Sequence, residues 1–370
     1  MAVQKILVNE FLQLAKVHPV LDVRSPGEYL HAHMPGAYSL PLFTDEERKV
    51  VGTAYKQESK KIAIKIGLDY FGVKMRKMVQ DVEQLLISLK PVINKKKQQQ
   101  IDASLPEISQ CILVHCWRGG MRSAGVAWLL DLYGYKVYSL AGGYKAYREW
   151  ARAQFDIQNN YTIIGGYTGS GKTLVLNELK QSGHFVIDLE GLANHKGSAF
   201  GAMGEKPQPS QEMFENLLAE KIAEIETTQN KGLSQIFLED ESQRIGQLSI
   251  PTNFWVQMRN SNVLFLDIPF EDRLNYLTEE YGKFEKEPIV NAIIRIQKRL
   301  GGLETKQAIN FLLENNHKES FRILLHYYDK HYEKGLNNRE NLTALLTKII
   351  CTTGDIKNNT QKLIHEKHLS

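Results

Sequence analysis

Cysteine and long apolar runs are the scarcest features of this 370-residue sequence. Its three cysteines, Cys111, Cys116 and Cys351, form no CxxC pair, which argues against a disulfide framework and a structural zinc site. No apolar run approaches the ~18 residues that cross a bilayer. The first residues also lack a basic segment followed by a long apolar one. We therefore expect a cytoplasmic protein that is not bound to a membrane.

An excess of charge of one sign is also missing, since 46 Lys and Arg oppose 42 Asp and Glu. The distribution is uneven. Residues 1–155 hold 22 basic and 14 acidic side chains, whereas residues 156–370 hold 24 and 28. A basic N-terminal half favours an anionic partner, and a solvated lysine-rich surface is the alternative. The 42% hydrophobic content excludes a wholly disordered chain.

Strands and helices alternate in two successive patterns that meet near residue 155, and the pattern is helical from about residue 289. The predicted strands are residues 20–23, 111–115, 135–140, 161–164, 185–189, 235–238 and 263–268. This alternation predicts an α/β protein with doubly wound parallel sheets. A polar run at 95–100 predicts a surface loop. The predicted regions are a first domain at 1–155, a second domain at 156–290 and a helical C-terminal region at 291–370.

One cysteine stands between a predicted strand and a predicted helix, in the segment HCWRGGMRS at 115–123. Loop N–H groups and a helix N-terminus favour negative charge there, and two arginines add positive charge. We therefore predict that Cys116 is a reactive thiolate with Arg118 and Arg122 as its catalytic partners. The spacing His-Cys-x5-Arg-Ser also fits the phosphate loop of cysteine-dependent phosphatases.

A second loop, GYTGSGKT at 166–173, matches G-x4-G-K-[ST] between an apolar strand and a helical run. Such a loop surrounds phosphates with backbone N–H groups, Lys172 adds a charge and Thr173 can ligate Mg²⁺. The predicted phosphate-binding residues are Gly166, Gly169, Ser170, Gly171, Lys172 and Thr173. Acidic residues end the strands of this half at Asp188, Glu239, Asp240 and Asp267. We place the metal-binding acid at Asp240.

A polar, glycine-containing stretch at 189–201 follows the second strand of the same sheet. Ligands in open α/β sheets bind beyond the carboxyl ends of the strands, so this stretch is predicted to bind substrate. A flexible surface loop is the alternative interpretation. The predicted substrate-binding residues are Asn194, His195, Lys196 and Ser198, together with Asp240.

Three ordered motifs resemble the rhodanese family over about residues 5–150. They are DVRSPGEY at 22–29, HMPGAYSLP at 33–41 and LAGGY at 140–144. The resemblance implies a rhodanese fold whose loop cysteine carries sulfur or selenium as a persulfide or perselenide. Tyrosine phosphatases lack these upstream motifs, so the resemblance favours a rhodanese over a phosphatase.

A rhodanese-like domain followed by a P-loop NTPase-like domain resembles the tRNA 2-selenouridine synthase family over nearly the whole chain. The stretches NHKGS at 194–198 and EDES at 239–242 belong to this resemblance. It implies two linked reactions at the wobble uridine of tRNA. Geranyl diphosphate first alkylates the sulfur of 2-thiouridine, and selenium from selenophosphate then displaces the geranylated sulfur. It also implies that Cys116 is essential.

The same resemblance implies the tRNA anticodon region as partner, with a selenophosphate-supplying enzyme as a further one. We expect no tightly bound cofactor. A basic run from Arg48 to Lys77 is then a predicted tRNA surface, with Lys60, Lys61 and Lys65 as its RNA-binding residues. The rival hypothesis is a rhodanese-type sulfurtransferase coupled to a small-molecule kinase, with ATP or GTP in the phosphate loop. That rival predicts nucleotide turnover and no affinity for tRNA.

Overall fold

The computed structural model describes residues 3–99, 111–228 and 235–369. The chain divides into two compact units, Met1–Ala153 and Gln154–Ser370, each with its own five-stranded sheet. Across the described ranges, no helix combines the length and the apolar character needed to cross a membrane. The predicted α/β class is therefore realised as two separate parallel sheets.

Five short strands form the sheet of the first unit. They are β1 (Gln4–Ile6), β2 (Val20–Asp22), β3 (Tyr38–Ser39), β4 (Cys111–His115) and β5 (Lys136–Leu140). All neighbours pair in parallel, in the order β1-β5-β4-β2-β3. Every residue of β4 is buried, as expected for a central strand of a parallel sheet that is covered on both faces.

Six helices lie around this sheet in the described part of the unit. They are α1 (Val8–Ala15), α2 (Pro26–His31), α3 (Asp45–Gln57), α4 (Lys60–Gln99), α5 (Met121–Leu132) and α6 (Gly143–Gln154). Phe71 of α4 and Val126 of α5 share one buried core with Ile112 of β4. The backbone at 95–99 continues α4, so the prediction of a loop there is wrong, and Gln100 lies outside the described residues.

The described residues of the second unit form seven strands. They are β6 (Asn160–Gly166), β7 (Phe185–Ile187), β8 (Gln235–Glu239), β9 (Arg244–Ile245), β10 (Leu248–Ser249), β11 (Asn262–Asp267) and β12 (Leu346–Ile350). β9 and β10 form an antiparallel pair, and the other five are parallel in the order β12-β11-β6-β8-β7. The strand order reverses beside β6, so its carboxyl end is the switch point where ligands of such sheets bind.

Ten helices complete this unit within the ranges that the structure describes. They are α7 (Lys172–Gln181), α8 (Leu189–Ala193), α9 (Gln211–Thr228), α10 (Thr252–Arg259), α11 (Phe270–Gly282), α12 (Lys286–Leu300), α13 (Gly302–Leu313), α14 (His317–Asn337), α15 (Leu342–Leu345) and α16 (Ile356–Leu369). Helices α11 to α14 share a core of their own. The C-terminal region also contains β12, which pairs with β11 and which the expectation of helices alone had missed.

Candidate functional site

Cys116 directly follows β4, in a loop that leads into α5. The start of α6 fixes this loop, because the Tyr144 N–H donates to the Cys116 carbonyl at 2.8 Å and the Lys145 N–H to the Trp117 carbonyl at 3.0 Å. Gly143 is required here, since a Cβ on it would lie 2.4 Å from the Cys116 carbonyl oxygen. The LAGGY motif thus holds the cysteine loop in shape.

The Cys116 sulfur lies 3.3 Å from the Ser123 hydroxyl. Burial raises the pKa of this thiol, but hydrogen bonds from Ser123 and the Gly120 backbone, with the charge of Arg122, outweigh burial and lower the pKa below its ordinary value. At Cys111, by contrast, burial raises the thiol pKa to about 11. The Cys116 thiol therefore ionises more readily than an ordinary cysteine, and the Cys111 thiol less readily.

The two arginines of the loop have different surroundings. Arg122 is partly buried, donates to Glu28 at 2.8 Å and is the arginine whose charge acts on the Cys116 thiol. Arg118 is exposed on the loop. The charge of Arg122 therefore acts on the Cys116 thiol, Arg118 is an exposed cation on the loop, and the catalytic roles of both stay predictions.

A buried ion pair packs against the tyrosine that holds the cysteine loop. The Arg24 guanidinium donates to the Asp22 carboxylate at 2.6 Å and lies 3.8 Å from the centroid of the Tyr144 ring. His115 is fully buried 3.8 Å from Asp22, and burial lowers its pKa, so this imidazole is neutral at pH 7. The DVR motif thus packs against the tyrosine that fixes Cys116.

The phosphate loop connects β6 to α7, as its motif requires. Gly166, Gly169 and Gly171 have φ angles of 148°, 80° and 72°, a region that glycine adopts without steric cost. The Lys172 ammonium donates to the Gly166 carbonyl at 2.9 Å, and Ser170 is buried inside the turn. The loop backbone is thus shaped to surround a phosphate chain with N–H groups.

Glu190, rather than Asp240, is the acidic residue beside Thr173. The Thr173 hydroxyl donates to the Glu190 carboxylate at 3.0 Å. Asp240 instead accepts a hydrogen bond from the Tyr332 hydroxyl at 2.8 Å and pairs with Arg339. The carboxylate of Asp240 thus has two partners from the C-terminal region, and its role as a metal-binding acid stays a prediction.

Two further glutamates accompany Glu190. Burial and neighbouring carboxylates raise the pKa of Glu239 and Glu241 well above the ordinary value. Glu239 also accepts a hydrogen bond from the Glu190 backbone at 2.7 Å. Within the described ranges, no group of three or more His, Cys, Asp and Glu side chains forms a site that could hold a metal ion. Mg²⁺ is usually held in proteins by one or two side chains together with substrate phosphates and water, and its binding at Thr173 stays a prediction.

A cavity of about 1340 Å³ opens over the phosphate loop. The predicted substrate-binding residues all line it, namely Asn194, His195, Lys196, Ser198 and Asp240. Lys196 donates to Glu280 at 2.7 Å, and burial lowers the pKa of His195. The 189–201 stretch thus faces the same cavity as Lys172 and Thr173.

Helices α11 and α14, which lie far from the phosphate loop in the sequence, contribute contacts to it that no local motif revealed. The Tyr332 hydroxyl of α14 accepts from the Gly166 N–H at 3.1 Å. Arg273 of α11 donates to the Thr168 carbonyl at 3.1 Å and forms two 2.8 Å hydrogen bonds with Asp329. The sequence signal for the contact from α14 was the tyrosine-rich segment at 321–332, but this segment carries no motif that connects it to the phosphate loop.

The three predicted RNA-binding lysines are exposed at the start of α4. Lys60, Lys61 and Lys65 have no acidic partner within salt-bridge distance among the described side chains. Farther along the same helix, Lys77 pairs with Asp81 at 2.9 Å. The first turns of α4 therefore carry positive charge that is not paired with any described acidic side chain.

The folds and the two loops together define a class of protein, a rhodanese domain joined to a P-loop domain. Family models match both parts: a rhodanese-like domain at residues 83–149 and the tRNA 2-selenouridine synthase AAA domain at residues 159–352. The chain belongs to the tRNA 2-selenouridine synthase family. The predicted fold class and the family resemblance are both confirmed.

Three relatives, each named tRNA 2-selenouridine synthase, show the extent of the similarity. The protein of Nitrosomonas europaea is 36% identical over 269 residues, which is 71% of this chain and 63% of the relative. That of Hydrogenovibrio crunogenus is 34% identical over 353 residues, covering 87% of this chain and 90% of the relative. That of Shewanella frigidimarina is 32% identical over 362 residues, covering 88% and 91%.

Proposed function

We propose that the protein is a tRNA-modifying transferase that converts wobble 2-thiouridine to 2-selenouridine through an S-geranyl intermediate. One observation carries the proposal: the chain holds a loop that favours a thiolate and a separate loop shaped for a phosphate chain. The names of its relatives support tRNA as the substrate. Each loop then serves one half-reaction.

The phosphate loop serves the first half-reaction. The sulfur of 2-thiouridine attacks C1 of geranyl diphosphate, the C1–O bond breaks, pyrophosphate leaves, and the uridine N3 proton is released. Negative charge grows on the leaving group, so Lys172 and the loop N–H groups stabilise the transition state more than the ground state. Thr173 and the Glu190 carboxylate beside it would hold Mg²⁺, which would supply further positive charge to the leaving group.

The cysteine loop serves the second half-reaction. Alkylation has turned the thiocarbonyl sulfur into a group that leaves as a neutral thiol. Selenophosphate supplies the selenium that replaces it at C2, and the P–Se bond is hydrolysed to phosphate. The Cys116 thiolate is the essential group of this step, and Arg122 offers positive charge to the selenophosphate anion. An enzyme that makes selenophosphate is the expected supplier.

The tRNA anticodon region is the proposed macromolecular substrate. The exposed lysines at the start of α4 carry unpaired positive charge and suit its phosphates. Binding through phosphates releases counterions, so affinity should fall steeply with salt.

Nucleoside mass analysis tests this function. tRNA containing 2-thiouridine is incubated with the protein, selenophosphate and geranyl diphosphate, and each co-substrate is omitted in turn. We expect 2-selenouridine only in the complete mixture and S-geranyl-2-thiouridine when selenophosphate is omitted. Nucleotide turnover without any change in the tRNA would instead support the coupled sulfurtransferase and kinase.

A further inference from the structure

An apolar wall of the second unit's cavity begins at the phosphate loop itself. Leu277 of α11 touches the loop, because a Cβ on Gly169 would lie 3.0 Å from the Leu277 Cγ and from the Arg273 carbonyl oxygen. Tyr281 is one helical turn farther along α11, which is about 6 Å. Both side chains line the cavity. The wall therefore leads from the phosphates towards Tyr281.

At its far end, this wall packs against a buried phenylalanine. Two tyrosine rings lie against the ring of Phe200: that of Tyr281 at 5.7 Å between centroids and that of Tyr328, from α14, at 6.3 Å. Phe200 is 4% exposed and belongs to the buried core of α11 to α14. Tyr281 and Tyr328 line the cavity in front of it. Two aromatic rings fixed by a close-packed core form a stop rather than a yielding surface.

We propose that this wall binds the hydrocarbon chain of the allylic diphosphate and that Tyr281 and Tyr328 set the chain length. The inference rests on the proposed function, which puts the diphosphate on the phosphate loop. With the diphosphate there, the chain starts beside Leu277, and burial against leucine and aromatic carbon is favourable for it. A chain longer than the distance to the two rings meets the stop and binds less well.

The apolar wall is one part of a cavity whose remaining lining is largely polar and includes Lys196, Glu205 and Arg295. A hydrocarbon chain is bound by apolar surface, which within this cavity the wall supplies. Ile296 of α12 lines the same cavity and extends the apolar surface. The substrate class assigned to this wall and the adjoining phosphate loop is thus an allylic diphosphate of restricted length.

The test compares dimethylallyl, geranyl and farnesyl diphosphates as donors to 2-thiouridine tRNA. In the wild type, geranyl diphosphate should have the highest kcat/KM of the three. Tyr281→Ala removes the stop and should raise the kcat/KM ratio of farnesyl over geranyl diphosphate by about tenfold or more, the usual effect of reshaping a hydrophobic pocket. Tyr281→Phe keeps the ring and should keep the wild-type ratio.

Inhibition by inorganic pyrophosphate is the control for folding and for the phosphate loop. Its inhibition constant should be unchanged in both Tyr281 variants, since pyrophosphate has no chain. Tyr328→Leu is the second variant and should move the farnesyl-to-geranyl ratio in the same direction. Unchanged ratios in the two truncating variants, with pyrophosphate inhibition intact, would overturn the inference. A wild type that transfers no allyl group from any donor would instead overturn the proposed function.

Discussion

The Tyr332 hydroxyl accepts a hydrogen bond from the Gly166 N–H at 3.1 Å, which joins α14 to the start of the phosphate loop across 166 residues of sequence. The same helix face makes two more contacts at helical spacing. Asp329 holds the arginine that binds the Thr168 carbonyl, and Glu333 accepts from Tyr167 at 2.7 Å. One face of α14 thus supports the loop along its outer side.

Tyr332→Phe should therefore loosen the phosphate loop. The change leaves the Gly166 N–H and one side of the Asp240 carboxylate without a partner, at a cost of about 1–3 kcal/mol in the unfolding free energy of this unit. Urea unfolding measures the loss of stability, and pyrophosphate titration measures the weaker phosphate binding that a loosened loop should show. Tyr167→Phe is the matched control, because its bond to Glu333 is exposed and should contribute little. Equal stabilities for the two variants would show that α14 does not support the loop.

Ser123→Ala should make Cys116 less reactive at neutral pH. The Ser123 hydroxyl is a hydrogen-bond partner of the sulfur and lowers the thiol pKa against the opposing effect of burial, so its removal raises that pKa. The measurement is the pH profile of alkylation by iodoacetamide in a Cys111→Ser, Cys351→Ser background. We expect the midpoint to move to higher pH, and an unmoved midpoint would contradict the assigned hydrogen bond.

Arg24→Leu should destabilise the first unit strongly. The variant leaves the Asp22 carboxylate buried without its partner, and breaking a buried ion pair in this way costs about 3–5 kcal/mol. Asp22→Asn combined with Arg24→Leu removes the stranded charge and should recover part of the loss. Thermal unfolding of the three proteins measures the effect, and a single variant no less stable than the double would refute this account.

Charge reversal of Lys60, Lys61 and Lys65 to Glu should weaken tRNA binding. If each lysine neutralises one phosphate, the slope of log affinity against log salt becomes shallower by about 2–3. Lys77→Gln on the same helix is the control, since Asp81 already pairs with that lysine. Filter binding over a range of salt concentrations gives the slopes. Unaltered affinity in the triple variant would place the RNA elsewhere.

The two loops were predictable because their chemistry is local. A glycine-rich turn between a strand and a helix, with Cys116 or Lys172 at the turn, specifies both position and role within nine residues. The supporting residues were not predictable. Tyr332 and Leu277 reach the phosphate loop through the fold, and Leu277 is indistinguishable in sequence from any core leucine. Strand β12 was missed because only its pairing with β11 shows that this short segment is extended.

The placement of Asp240 shows the limit of strand-end reasoning. Several acidic residues end neighbouring strands, and their sequence positions do not say which one turns towards Thr173. The answer depends on Arg339 and Tyr332, which hold Asp240, and on α8, which brings Glu190 to the threonine. Long-range partners therefore decide which acidic side chain contacts Thr173, within a cluster that local motifs located.

The division of labour between the two loops is tested most directly by assaying each half-reaction alone, with nucleoside mass analysis of the tRNA. Given 2-thiouridine tRNA and geranyl diphosphate without nucleotide, Cys116→Ser should form the geranylated nucleoside and Lys172→Ala should not. Given tRNA already geranylated, with selenophosphate, Lys172→Ala should form 2-selenouridine and Cys116→Ser should not, while Cys111→Ser and Cys351→Ser do both. Geranylation by Lys172→Ala at the wild-type rate, or an absolute need for ATP in the wild type, would contradict the account.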